Sequence, residues 1–514
     1  MTAGAVLPNL DTLDSAALKA LILSQHEQLI SRDAEIAQLK LLIAKLRRMQ
    51  FGRKSEKLER QIEQLELRLD ELEAARAERS VVSHTPAVSA PQAETKRTRQ
   101  PLPAHLPRET RKILPKQEAC PDCGGALKPL GEDVSEMLEY VPEHFKVIRQ
   151  VRPKLACACC DKIVQAEAPS RPIARGLAGP GLLAHVLVSK YCDHLPLYRQ
   201  SEIYARAGVE LDRSTLADWV GGSSALLEPL VEALRRHAMA GEKLHADDTP
   251  VPVLAPGNGK TKTGRLWTYV RDDRPAGDAR PPAVWFAYTS DRKGEHPKAH
   301  LSKFTGTLQA DGYAGYDAVY EDGRVREAAC MAHVRRQFFD LYEAHKSPVA
   351  KEALERVAAL YAIEEEIRGQ AAGQRREVRQ QHSRPLLDLL KQWLEETLTK
   401  LSKKSDTARA VRYALGRWDA LMRFCDDGRI EIDNNAAERS LRTVVLGRKN
   451  YLFAGSDRGG ERAAAIYSLI GTAKLNGIDP EGYLRNVLSR IADHPISRIE
   501  ELLPWNLAVS SPGA

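Results

Sequence analysis

The sequence predicts a multidomain chain of mixed α+β and α/β class. A β-sheet core is split by an all-helical insertion and preceded by a coiled coil, a metal-binding ribbon and a short helical module. Three observations predict it. Apolar heptads run through residues 13–79, two C-x-x-C pairs follow a proline- and serine-rich stretch, and β-branched runs gather between residues 243 and 316, ahead of the purely helical pattern of 347–427. At 514 residues the chain is too long for one ordinary core, and roughly two to four domains are expected.

In the first segment Ile22, Leu29, Ile36 and Ile43 fall seven apart, and Leu39 and Leu46 fill the second seam late. After a break at Phe51-Gly52, Leu58, Ile62, Leu65, Leu69 and Leu72 step by four and three. Such a seam flanked by charge reads as a coiled coil and favours self-association, although a helical hairpin folded back on itself fits the same pattern. Residues 80–116 shift to Pro, Ala, Ser and Thr with basic Lys96, Arg97 and Arg99, a composition that buries no core and reads as a flexible linker. Residues 117–170 carry Cys120-x-x-Cys123 and Cys157-x-x-Cys160 around a strand-rich Glu139–Val151. Two such knuckles supply four thiolates for one tetrahedral structural Zn²⁺. Cys159 is a rival ligand, and buried thiols or a redox pair are the other readings. Residues 171–240 are helical. Gln200–Arg206, a turn at Ala207-Gly208-Val209, and Arg213–Val220 resemble helix-turn-helix geometry, with Arg213, Ser214 and Thr215 at the end that would enter a DNA major groove. A plain helical hairpin explains the same pattern.

The core is expected over 243–346 and 428–492. Leu244–Leu254 (LHADDTPVPVL) reads as an interior strand that ends on two acids, Asp247 and Asp248. An unpaired carboxylate there costs several kcal/mol or shifts its pKa, so it calls for a cation; a strand end with turn-forming Asp and Pro is the plain alternative. Leu266–Val270 and Ala283–Tyr288 supply two more strands. The loop 255–261 has no first glycine for a phosphate loop, no helix follows it, and it reads as a hairpin loop. A helix near Pro297–Phe304 leads to a strand closing on Asp311-Gly312, where glycine permits a sharp turn or close approach. In EIDNNAAERSLR, Glu438 is either the third residue of a capping box begun by Asn435 or a carboxylate sharing a helix face with Arg442 and aimed at the two aspartates. Three converging carboxylates suit Mg²⁺ or Mn²⁺, and two ions about 3.5–4 Å apart would act on a phosphodiester. Cys330-x-x-His333 lacks metal partners and reads as a buried thiol with a structuring histidine. Trp393 and Trp418 read as core of the insertion. Arg439, Arg442, Arg448, Lys449, Arg458 and Arg462 beyond Glu438 suit phosphate contact, or form a solvated basic face.

The strings HADDTP, QADGYAGY, CMAHVRRQF, DNNAAERSLR and GRKNYLFAGSDRGG resemble the Asp-Asp-Glu transposases of bacterial mobile elements, specifically the insertion-sequence 66 family, from about Gly52 to Asn506. Met331 stands where that family usually carries an aromatic. The resemblance implies a ribonuclease-H-like catalytic core, which the order β-β-β-α-β also fits, with Asp247, Asp311 and Glu438 as catalytic and metal-binding triad and Asp248 as the rival for the first place. It implies a zinc-binding domain, double-stranded DNA (element ends and target) as partner, a homo-oligomer built through the coiled coil, accessory element-encoded proteins, and a cytoplasmic, nucleoid-associated location. A non-catalytic DNA-binding regulator and a nuclease that cleaves without joining are the alternatives. Composition agrees with an aqueous globular protein: 43% of residues are hydrophobic and the net charge is +7, with no apolar run near the ~20 residues that span a membrane. The start MTAGAVLPNLDTLDS has no basic-then-apolar pattern, so no secretory signal is expected. Residues 493–514 read as a tail.

Overall fold

Two β-sheets carry the arrangement, one around the cysteine knuckles and one around the acidic strand. The computed structural model describes residues 32–40, 42, 43, 65, 68–78, 101–142, 144–174, 176–255, 261–450 and 454–507, without the side chains of 448 and 449. Ile22, Leu29, Leu58 and Ile62 of the expected coiled coil, most of the expected linker and most of the loop 255–261 lie outside them.

In the first sheet, β1 (Arg108–Lys112) pairs in parallel with β3 (His144–Cys157), which pairs antiparallel with β2 (Leu127–Val141) and β4 (Ile163–Gln165). The linker expected over 80–116 therefore ends earlier. Arg108–Lys112 has little to bury, and it is strand because its backbone completes the open edge of β3. Three helices follow: α1 (Pro180–Tyr191), α2 (Leu197–Arg206) and α3 (Arg213–Met239). Glu139 of β2 caps α1 by accepting the Leu182 N–H at 2.7 Å. The second helix of the expected helix-turn-helix does not stop at Val220. It runs on to Met239 because Leu216, Val220, Leu227, Leu230 and Leu234 keep a helical apolar stripe through Pro229.

The second sheet has the order β7 (Ala283–Thr289), β6 (Lys262–Arg271), β5 (Lys243–Val253), β8 (Gly306–Gln309), β9 (Val325–Ala328). Strand β6 runs antiparallel to both β5 and β7, whereas β8 and β9 run parallel to β5 and to each other. The crossover from β7 to β8 carries α4 (Glu295–His300), and α5 (Asp317–Tyr320) precedes β9. One face packs Leu244, Ala246, Trp267, Tyr269 and Leu308 beneath these short helices. The other joins Leu266, Val270, Val284 and Phe286 to α3 and to α13 (Asp457–Leu475). The edge strand β7 is covered, its Val284 and Phe286 amides donating to Thr472 and Ser468 of α13.

The insertion is all helical: α6 (Met331–His345) leads into α7 (Pro348–Ile367), α8 (Ala372–Val378), a π turn over Arg379–Ser383, α9 (Arg384–Lys400), α10 (Asp406–Leu415) and α11 (Trp418–Asp426). Its core holds Trp418, with Trp393 partly buried against it. The chain then returns as α12 (Asn435–Asn450), α13 and α14 (Pro480–Arg490). The expected tail is in part structural: Ile499, Leu502 and Leu503 are buried in the main core, and Leu502 accepts the Tyr483 hydroxyl at 3.0 Å. The described N-terminal pieces pack on one another through Ile36, Ile43 and Leu69 within one chain, as a folded-back helix pair would.

Candidate active site and metal centre

The register of the sheet decides which acids meet. Strand β5 pairs with β8 as Lys243↔Thr307, Leu244↔Leu308 and His245↔Gln309. Side chains alternate along a strand, so His245, Asp247 and Gln309 share a face, and Asp311, two residues past the end of β8, lies close enough for its charge to raise the Asp247 carboxyl. The shared face is the one covered by α12, where Thr268 (opposite Asp247) meets the Ser440 hydroxyl at 2.8 Å.

Asn434 fixes the entry of α12 over this face. Its Nδ2 donates to the Ala246 carbonyl (2.8 Å), its Oδ1 lies 3.0 Å from His245 Nδ1, and its backbone N–H donates to Cys330 Sγ at 3.1 Å. Burial holds the His245 imidazole down at about 3, so it is neutral and serves as a spacer. Gln309 ties the preceding loop to β8 by exchanging two hydrogen bonds with the Glu431 backbone, at 2.8 and 2.9 Å. Glu438 is not the end of a capping box. The helix begins at Asn435, whose Nδ2 donates to Asp433 at 2.7 Å, while Glu438 lies one turn into the helix with its N–H on the Asn434 carbonyl. Its carboxylate is 3.8 Å from His333 Nε2 and 4.0 Å from Arg336 Nη2, both on α6.

Asp247 forms no ion pair among the described residues; it accepts the Asp248 N–H at 2.7 Å. Burial pushes its carboxyl up to about 7 against that bond, and the charges of Asp311, Asp248 and Glu438 add to the rise. Asp248 faces the other way and is neutralised by Arg265 (2.9 Å) and Arg292 (2.8 Å). Of the two neighbours, only Asp247 is a carboxylate short of a cation. Gly312, next to Asp311, is explained by the insertion. A Cβ there would sit 2.7 Å from Arg417 Nε, and Arg417 donates to the Gly312 carbonyl (2.8 Å) and pairs with Glu327 (2.7 Å). The donor set of Asp247, Asp311 and Glu438, all oxygen and partly buried without enough positive charge, fits hard divalent ions. Cys330 is buried and its thiol is raised to about 12 by that burial, but the expectation that the Cys330/His333 pair lacks a metal partner does not hold: ligand atoms of Cys330, His333 and Glu438 lie within 4.8 Å of one another. His333 is closer to the site than the sequence suggested, its Nδ1 buried without a hydrogen-bond partner.

The four cysteines converge as expected. Leu127 lies opposite Cys157 across the β2–β3 hairpin, so the long gap between the knuckles closes on itself. The sulfurs of Cys120 and Cys160 are 3.5 Å apart, and those of Cys123 and Cys157 are 3.4 Å apart. All four lie within 4.8 Å of one another, and Cys159 is outside the group. The N–H groups of Cys159 and Cys160 draw the Cys157 thiol down to about 6, giving a thiolate ready to bind metal. The donor set fits tetrahedral zinc.

The residues expected to touch DNA divide into three groups. Arg439 and Arg442 are exposed on α12, with no ion pair among the described residues, whereas the side chains of Arg448 and Lys449 lie outside them. Arg213 is held by Asp70 of the N-terminal helix at 2.6 Å, and with Ser214 it lines a cleft closed by Lys40, Leu69 and Glu73. Arg458 and Arg462 are likewise held by an acid, Glu78, at 3.9 and 3.0 Å. Arg462, 2% exposed, is a structural arginine and not the phosphate contact expected of it. No helix among the described residues is long and apolar enough to cross a membrane.

Residues 175–462 match the family described as Transposase IS66 family, and 468–505 match the IS66 C-terminal element. Residues 117–161 match the zinc-finger binding domain of transposase IS66, and 38–111 match a domain described as Transposase C of IS166 homeodomain. Two uncharacterized proteins of Sinorhizobium fredii are similar along nearly their whole length. One, y4hP, is 43% identical over 491 residues, covering 91% of this chain and 88% of its own; the other, y4qI, is 40% identical over 533 residues, covering 98% of each. By sheet, knuckles and family match together, the chain belongs to the IS66 family of transposases.

Proposed function

We propose that the chain is an Asp-Asp-Glu transposase with a ribonuclease-H-like catalytic core, which binds the ends of its insertion sequence, cleaves a strand at each and joins it to target DNA. The observation that carries this reading is the approach of Asp311 to Asp247, close enough to raise its carboxyl, with Glu438 brought to the same sheet face by Asn434. The strand order, with three antiparallel strands followed by two parallel to the first, supports the fold.

Asp247, Asp311 and Glu438 would hold two Mg²⁺ or Mn²⁺, which supply Lewis acidity for activating a water or 3′-hydroxyl and for the leaving oxygen of a phosphodiester. The protein's own groups do the rest. The sheet register and the Asn434 anchor fix the carboxylates in advance, so little reorganisation is needed as charge develops. Asp247, whose carboxyl is raised by burial and by the charges of Asp311 and Glu438, would gain most from a bound cation. Arg439 and Arg442, exposed beside Glu438, would fix the DNA backbone without reading sequence. Contact by Arg213, Ser214 and Thr215 would require residues 68–78 to leave Asp70's position on α3. Holding two ends together calls for more than one copy, and we place self-association in residues 13–79.

The test incubates the purified chain and Mg²⁺ with a labelled fragment carrying an element end and a supercoiled target, with Asp247→Asn in parallel. Joined products from the unmodified protein alone support the reading. Cleavage without joining points to a nuclease or a missing partner, and binding with neither to a regulator or to the need for an accessory protein.

A further inference from the structure

We propose that Arg292 contacts a phosphate of the reacting DNA, and that Asp248 is the positioning residue that aims it. The inference rests on the reading of Asp247, Asp311 and Glu438 as the active site. The Asp248 side chain is fully sealed from solvent (0% exposed), on the face of β5 opposite Asp247. A carboxylate so placed needs a paired cation, and Arg265 supplies one at 2.9 Å. A second guanidinium is there as well. Arg292 grips Asp248 with Nη2 at 2.8 Å and Nε at 3.1 Å from both oxygens. Two cations on one acid leave one positive charge over.

That charge is directed. Arg292 Nη2 is 3.8 Å from Asp311 Oδ2, so the guanidinium spans the gap from the inert aspartate to an acid of the site. Its plane lies 3.8 Å from the centre of the Tyr313 ring. Tyr313 is itself fixed, its N–H on Asp311 Oδ1 at 3.3 Å and its hydroxyl on the Arg292 carbonyl. Gly315 makes room for that ring, since a Cβ there would collide with Tyr313 Cε1. One edge and one face of the guanidinium are therefore held, while 35% of the side chain stays open and Nη1 bonds to no described residue. The structural arginines of the insertion show the contrast: Arg375 and Arg379 are 1% and 0% exposed, and both Nη atoms of each bond to Glu364, Glu431 or backbone carbonyls. A rigid, half-open guanidinium beside developing negative charge is a preorganised donor to an oxyanion. Its ligand is a non-bridging oxygen of the phosphodiester.

The experiment uses full-length Arg292→Ala, Arg292→Lys, Asp248→Asn and the double variant Asp248→Asn/Arg292→Ala. We expect Arg292→Ala to slow single-turnover cleavage of a labelled element end about 100-fold, with DNA affinity changed less than about threefold and part of the rate restored by Arg292→Lys. Asp248→Asn should slow the same step about 10-fold, and the double variant should be no slower than Arg292→Ala alone, because the two act as one unit. Manganese binding, followed by the Mn²⁺ electron paramagnetic resonance signal, should tighten in Arg292→Ala, because a cation leaves the neighbourhood of Asp311. Cleavage within threefold of the unmodified protein, additive losses in the double variant, or weakened Mn²⁺ binding in Arg292→Ala would each overturn the proposal. If the unmodified protein cleaves no end even with the element's accessory proteins added, the transposase reading fails. The Mn²⁺ titration then decides alone: tighter binding keeps Arg292 at the carboxylate site, and unchanged binding removes it.

Discussion

Asp247→Asn removes one negative charge from a place where burial and three neighbouring carboxylates already disfavour it, at almost no change in volume. The Asp247 carboxyl is raised from 3.8 to about 7. Each unit is worth about 1.36 kcal/mol, so ionising it in the folded, metal-free chain costs up to about 4 kcal/mol. The neighbouring acids titrate with it, and we expect about 2–4 kcal/mol of stability to be gained by the variant at pH 8. The sign follows from proton counts. Between pH 4 and 7 the folded chain holds the Asp247 proton that the unfolded chain has lost, so stability falls as pH rises through that window and stays low above about 7. The assay is thermal melting of zinc-loaded protein without Mg²⁺ or Mn²⁺, comparing wild type and variant from pH 5 to 8. The two curves should lie closest at pH 5, where about 1.6 kcal/mol of the cost is already present, and separate further, by several degrees, at pH 8. Added Mg²⁺ should close the gap from the wild-type side by binding where the charge is. A variant no more stable than wild type at pH 8, or one with the same pH slope, would refute the account of a cation-deficient carboxylate cluster.

Three further expectations follow from buried contacts. Cys157→Ser removes the ligand that is most readily ionised, and zinc measured by a chelating dye should fall well below one ion per chain, with the β2–β3 ribbon unfolding because metal binding and folding are one event there. Gly221→Ala would drive a Cβ into the Ala74 carbonyl oxygen; overpacking of this kind costs about 1–3 kcal/mol, and residues 68–78 should become cleavable by protease while the catalytic core stays intact. Glu364→Ala leaves Arg375 and Arg379 buried without their shared carboxylate, a loss of about 3–5 kcal/mol that should lower the melting of the insertion; no shift in melting would show the pair to be replaceable.

What the sequence disclosed and what it withheld divide along a physical line. Alternation within β5 is local, so the string HADDTP by itself sets Asp247 and Asp248 on opposite faces of a strand. The sheet then shows which face holds α12 and which holds Arg265 and Arg292. The C-x-x-C knuckles and the helical pattern of 347–427 were legible for the same reason, since each is a short-range spacing. Strand β9 was missed because Val325–Ala328 has no apolar alternation and is strand by pairing with β8. Strand β1 and the packed turns after Ile496 escaped likewise, being fixed by partners distant in the chain. The charged residues show the limit most clearly. Arg213, Arg292 and Arg417 look alike in sequence, each an arginine in a polar stretch. Their meanings come from partners at long separation: Asp70 for the first, Asp248 and Asp311 for the second, Gly312 and Glu327 for the third. A carboxylate's identity as ligand or anchor is settled by how many cations it already has. By that count Asp248 is an anchor with one guanidinium to spare, and Asp247 is a carboxylate still short of a cation.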